Sequence, residues 1–189
     1  MLDWSNETAV VLASGPSLTA ADCWLVRESG ANVIAVNATF RMAPWADVVY
    51  MGDLMAVRTY NREVRDRTTG QHWTTDSVAA QQHNGWNHAP GLMRCGNSGG
   101  QAIHLAAKFG ARQIVLLGFD MKLGPNGERH HHAEHPAPCV QRSLFSEWSI
   151  KMAVLAKELE ASGVSVINCS RVTALTCFPR GNLEDELCR

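Results

Sequence analysis

The run His130-His131-His132-Ala133-Glu134-His135 places four imidazoles and a carboxylate within six residues. Imidazole titrates near neutrality, so one of these histidines can serve as a general acid or base. Clustered imidazoles also invite a metal, but zinc sites usually gather ligands from separate elements, and no matching Cys/His pair lies elsewhere. A solvated loop with incidental histidines is the third reading.

Two small-residue turns suit an anionic ligand. Ser14-Gly15-Pro16-Ser17 follows the apolar Val10-Val11-Leu12. Gly15 would let a ligand approach the backbone, Ser14 and Ser17 offer hydroxyls, and the following helix aims its N-terminus at the same place. A plain tight turn fits the same residues. Cys95-Gly96-Asn97-Ser98-Gly99-Gly100 opens a second helix, with Asn97 or Ser98 as cap. Two glycines in a first turn cost roughly 1 kcal/mol each relative to alanine. Close approach of a ligand and close packing on the sheet explain them equally well. Neither a Walker A loop nor GxGxxG occurs.

Asp53 and Asp120 could each coordinate Mg²⁺ beside a phosphate, although Asp53 also suits a helix cap. Trp45, Trp73 and Trp86, in or near expected loops, could stack on a base or sugar. Trp148, with Phe145 and Met152, is expected in the core. His104 reads as a packed mid-helix histidine. His72, His83 and His88 are left unassigned.

The elements that must position these residues alternate. Strands are predicted over 9–14, 32–36, 47–51, 112–118 and 164–168, and helices over 19–28, 53–66, 98–109 and 140–161. Thr19 and Asp53 supply N-caps, and Gly110 and Gly163 supply C-caps. Near-continuous apolar strands alternating with helices predict an α/β, Rossmann-like, doubly wound and mainly parallel sheet with helices on both faces. Ligands of such sheets lie beyond the carboxyl ends of the strands. Here those ends carry Ser14, Asn37, Asp53, Gly118 and Ser170, which together would form one polar crevice. The stretches 67–95 and 119–139 break the rhythm, apart from one more strand around His72–Thr75, and either stretch could supply a lid.

Residues 1–189 suit one domain. A formal net charge of −1 gives no global attraction to nucleic acid or an anionic membrane. No apolar stretch approaches the roughly 20 residues of a membrane span, and the N-terminus does not read as a secretory leader. Six cysteines without a CxxC pair read as reduced thiols, and the chain as cytoplasmic.

In order along the chain, SGPSL, VNATF, NSGGQAIHLAAKFGARQIVLLGFDM, the histidine run, VINCS and FPR resemble a known group. The chain resembles the bacterial sialyltransferases of glycosyltransferase family 42 and the related DUF115 proteins. The latter include motility-associated flagellin glycosyltransferases and the archaeal hydroxymethylpterin pyrophosphokinase. The likeness spans about residues 8–183 except the middle segment, 55–93. It implies that Ser14, Gly15, Pro16 and Ser17 lie under a nucleotide, with Ala13 replacing the family's first glycine. It places a nucleotide-contacting asparagine at Asn37 and the family's T-S-G turn at Asn97-Ser98-Gly99, and matches its S-G-I-D-F to Leu117-Gly118-Phe119-Asp120-Met121. The family's H-Y-x-G-H frame falls on His131 to His135. His135 would then be the catalytic base, and His132 would stand where a tyrosine meets the donor phosphate.

The reading that follows is a nucleotide-sugar-dependent transferase, with a CMP-sugar as the family's donor, no required cofactor and an unidentified acceptor. A homo-oligomer could complete the lid. The pyrophosphokinase branch instead implies Mg²⁺ on Asp53 and Asp120. A non-catalytic nucleotide-binding accessory protein is the third expectation.

Overall fold

A computed structural model describes residues 2–137, 139 and 144–188. Its centre is a sheet of seven parallel strands: β1 (Thr8–Leu12), β2 (Asn32–Val36), β3 (Val48–Tyr50), β4 (Gln71–Thr74), β5 (Trp86–His88), β6 (Gln113–Leu117) and β7 (Ser165–Asn168). Their spatial order is β5-β4-β3-β2-β1-β6-β7. The chain runs outward from β1 to β5, then returns to lay β6 against the other side of β1. The switch point is the β1/β6 seam, where Val10 pairs with Val115 and Leu12 with Leu117.

Side chains of period two divide the core. Ala9, Val11, Ile34, Tyr50, Ile114 and Leu116 face the layer containing α4 (Ser98–Lys108) and α5 (Phe145–Ala161). Val10, Leu12, Val33, Val49, Met51, Val115 and Leu117 face the layer containing α1 (Ala20–Ser29) and α2 (Leu54–Arg67). Each fully buried valine or leucine removes enough apolar surface to favour folding by about 1.5–3 kcal/mol before entropy. This apolar burial on both faces is why the strands read as continuous runs rather than alternating ones.

The expected α/β doubly wound architecture is present, with differences at its edges. The polar segment 67–95 extends the sheet, contributing β4, α3 (Ser77–Gln82) and β5. A short helix α6 (Leu183–Leu187) follows β7, and a 3₁₀ turn spans Asn37–Arg41. Helix α1 begins after Thr19, which forms a capping box with Asp22. Helix α2 begins after Asp53, whose carboxylate accepts from Ala56 N. Gly110 and Gly163 follow the caps of α4 and α5 with positive φ, 100° and 73°. The predicted helix over 140–161 is seen from Phe145; residues 140–143 lie outside the described ones.

All six cysteines carry free thiols. Among the described residues, no helix is long and apolar enough to cross a membrane.

Candidate functional site

A cleft of about 370 Å³ lies beyond the carboxyl ends of the strands. Ala13, Ser14 and Gly15 reach it from β1, Val36 and Asn37 from β2, Gly52 and Asp53 from β3, and Gly118 to Lys122 from β6. Gly96 to Gly99 bring in the start of α4. The cleft therefore spans the β1/β6 switch point, where backbone edges diverge and leave a crevice. At the bottom of the seam, Gly15 N donates to Gly118 O (2.9 Å).

The glycines here serve the protein's own packing. A Cβ on Gly15 would sit 2.3 Å from both Gly118 O and Asp120 Oδ1. One on Gly99 would meet the Phe119 ring at 2.9 Å, and one on Gly100 would meet Cys95 Cβ at 2.5 Å. Close packing of the protein's own atoms therefore accounts for these glycines: the turns after β1 and β6 meet at Gly15, and the first turn of α4 meets Phe119 and Cys95 at Gly99 and Gly100.

Asp120 and Ser17 form the brace of this floor. Ser17 donates its N–H to Asp120 Oδ2 (2.8 Å) and its hydroxyl to Oδ1 (2.7 Å). Burial raises the Asp120 carboxyl pKa, against the pull of those two bonds. Both Asp120 oxygens are thus engaged, and Asp53 Oδ1 is spent on the Ala56 cap (2.9 Å). Neither carboxylate presents two uncommitted oxygens to Mg²⁺.

Polar atoms at the wall remain available to a ligand. Asn37 adopts φ 50°, uncommon for a non-glycine residue, and its Oδ1 is buried with no hydrogen-bond partner. Asn97 caps α4 by accepting from Gly100 N (2.8 Å). Ser98 and Gly99 bring the first turn of α4 to the cleft, where the helix dipole favours negative charge. Gln101 is held by Tyr50, whose hydroxyl donates to Oε1 (3.0 Å).

The histidine loop closes over this floor. His131 N donates to Ser14 O (3.0 Å), tying the loop to the first turn. His130 Nδ1 lies 3.0 Å from Ser14 Oγ, and His131 Nε2 3.3 Å from Thr39 Oγ1. His135 Nδ1 lies 2.6 Å from the Tyr60 hydroxyl. Burial pushes His130, His131 and His135 down to about 4, and neighbouring histidines push the same way. These imidazoles are therefore neutral at physiological pH.

Of the expected residues, the cleft brings together Ser14, Gly15, Asn37, Asp53, Asn97, Ser98, Gly99, Gly118, Asp120 and His135. Pro16, Ser17, His132 and Ser170 do not line it. Ser170 is buried and its hydroxyl accepts from Phe119 N (2.8 Å), which supports the β6 turn from behind. His132 turns into the loop, with Nδ1 2.5 Å from Ala133 O.

No family model matches this chain, and no curated protein matches it.

The tryptophans also depart from expectation. Trp73 and Trp86 are buried in β4 and β5, away from the cleft, and Trp45 lies near Arg27, 5.9 Å from ring centre to guanidinium. Trp148 lines the cleft with Phe145, whereas Met152 below it is core. His104 is packed as expected, its Nδ1 accepting from Met93 N (2.9 Å). His72 is buried beside Thr68 Oγ1 (2.9 Å), in the outer sheet. Sequence reasoning missed Tyr60. The signal was the helical spacing of Asp53, Ala56 and Tyr60, which places all three on one face of α2 toward the cleft.

Proposed function

We propose that this chain is a nucleotide-sugar-dependent glycosyltransferase, a CMP-sugar being the donor class its motifs resemble. One observation carries the reading. A cleft at the sheet's switch point joins a helix N-terminus, an unpartnered asparagine acceptor and a neutral histidine that is anchored through Nδ1.

The nucleotide lies across Ser14, Gly15, Asn37 and Gly118, and its phosphate meets the first turn of α4 at Asn97, Ser98 and Gly99. Fixed dipoles of this kind stabilise a leaving phosphate without reorganising during the reaction. Lys122, at the cleft rim, adds a cation. His132 faces away from the cleft, so the phosphate role assigned to it by resemblance passes to these groups. His135 takes the acceptor's hydroxyl proton at Nε2 while its Nδ1–H is held by the Tyr60 oxygen. As the acceptor oxygen bonds to the anomeric carbon, that carbon's bond to the phosphate oxygen breaks, and the nucleotide leaves with the electron pair on its phosphate. No metal is needed for these steps.

The Mg²⁺-dependent phosphotransferase reading ranks second, because both oxygens of Asp120 and one of Asp53 already accept hydrogen bonds from the protein. Transfer from CMP-, UDP- and GDP-sugars to a panel of hydroxyl acceptors tests the first reading. With the productive pair, His135→Ala should lower kcat by about 10²–10⁴-fold and leave nucleotide affinity unchanged. Undiminished turnover in His135→Ala would refute the assignment. Strict dependence on Mg²⁺ and ATP would favour the phosphotransferase, and nucleotide binding without any transfer would favour a non-catalytic role.

A further inference from the structure

Three of the loop histidines pack against one another. His130, His132 and His135 each offer a ring nitrogen, and these nitrogens all lie within 4.8 Å of one another. The rings pack pairwise: His130 stacks on His132 at 5.0 Å between centroids, and His135 meets them edgewise at 4.8 and 4.9 Å. All three are half-buried.

The tautomer of His132 follows from its partner. A carbonyl oxygen only accepts, so Nδ1 carries the proton and donates to Ala133 O. Nε2 is then a bare lone pair, and it is buried with no hydrogen-bond partner. A buried acceptor left unpaired costs free energy that a cation would relieve. His130 and His135 also have Nδ1 engaged, by the hydroxyls of Ser14 and Tyr60. Each hydroxyl can accept, leaving Nε2 for a ligand. Metal-bound histidines characteristically have the second ring nitrogen held this way, which fixes ring orientation.

We propose that His130, His132 and His135 form a three-histidine site for one divalent transition-metal ion of the Zn²⁺ class. Imidazole nitrogens select Zn²⁺ and its neighbours over Mg²⁺ or Ca²⁺. Tetrahedral Zn–N distances of about 2.0–2.1 Å bring ligand nitrogens to about 3.3 Å apart, so binding requires the nitrogens to close by roughly 1.5 Å at most and one of the stacked His130 and His132 rings to turn out of parallel. Three protein ligands leave a fourth position, and His130 and His135 direct it to the cleft they line. Water or an anionic group of a bound molecule fills it. The inference does not rest on the transferase reading. An ion would take the lone pair that reading gives to His135, so the metal-loaded chain would have no base there.

The test uses untagged full-length protein, stripped with chelator and titrated with Zn²⁺ by calorimetry, and with Co²⁺ by visible absorption. One ion per chain is expected, with the intense absorption of four-coordinate Co²⁺. His132→Ala should abolish the tight site although His132 does not line the cleft. Tyr60→Phe should weaken it by about 10–100-fold, the usual effect of losing a partner behind a ligand. His88→Ala, an exposed histidine elsewhere, should bind as wild type. Melting curves verify that each variant is folded; if His132→Ala is not, His130→Gln replaces it. Less than about a tenth of an ion per chain, or unchanged binding in the folded histidine variant, would overturn the site.

Discussion

Ser17, in the turn after β1, donates both its backbone N–H and its hydroxyl to the carboxylate of Asp120, in the turn after β6. These two bonds, at 2.8 and 2.7 Å, join the strand ends on either side of the switch point. The candidate cleft is therefore preshaped by the fold. Asp120→Asn puts an amide nitrogen where one of the two donors needs an acceptor. The variant should lose about 1.5–3 kcal/mol, the range for a buried bond to a charged group. Urea denaturation measures this, and an unchanged midpoint would mean the brace is not formed.

Gly15→Ala tests the same seam by volume. The added methyl carbon would stand 2.3 Å from Gly118 O and from Asp120 Oδ1. Backbone cannot yield there without separating β1 from β6. Destabilisation of at least about 1–3 kcal/mol is expected, as for overpacking. A Gly30→Ala control, with no atom within 4 Å but φ 70°, reports backbone strain alone. Because Gly15 is not in the positive-φ region, an unchanged stability in Gly15→Ala would show that crowding there is absent.

Arg171 reaches from the segment after β7 to Asp22 in the first turn of α1, with bonds of 2.7 and 3.1 Å. Burial alone would raise the Asp22 carboxyl. The bonds from Arg171 and Thr19 outweigh it and hold the group below its usual 3.8. The arginine is itself half-exposed, so its removal in Arg171→Ala should cost only about 1 kcal/mol at pH 7. Because the folded-state value is depressed, this contribution is complete above 3.8 and is lost as pH falls through the lower folded value. Chemical denaturation of wild type and variant should converge at acid pH. A constant gap would exclude the ion pair as its source.

The histidine loop predicts a second pH window. Unfolded histidines take up protons below 6.5, whereas His130, His131 and His135 resist until about 4 because burial penalises their charge. The unfolded state binds more protons between those values, so stability falls as pH drops from 6.5 toward 4. Melting of chelator-treated protein across that range should show a decline, smaller in His130→Gln. A melting temperature that stays level or rises on acidification would show that the loop histidines are solvated.

The parallel sheet was legible because its strands are buried on both faces and punctuated by caps such as Thr19 and Asp53. The outer strands were less so. β5 is three residues long with Asn87 and His88 exposed, and no hydrophobic period marks it. The strand ends identified most of the cleft floor, because position in a parallel sheet settles where the polar residues gather. Side-chain direction was not legible. His132 and Ser170 carry suitable chemistry, yet one turns into its own loop and the other braces a turn from behind. Tyr60 was overlooked because its partner, His135, lies 75 positions along the chain.

The central claim is that the cleft at the β1/β6 switch point holds a nucleotide. Amide chemical shifts, followed while the isotope-labelled chain is titrated with CMP, CDP, UDP, GDP and ATP, test it residue by residue. At least one nucleotide should bind with a Kd of about 1 mM or tighter, a free energy of roughly −4 kcal/mol. The largest shifts should fall at Gly15, Asn37, Ser98, Gly99 and Gly118. Absence of binding by all five, or shifts centred outside these strand ends, would contradict the claim.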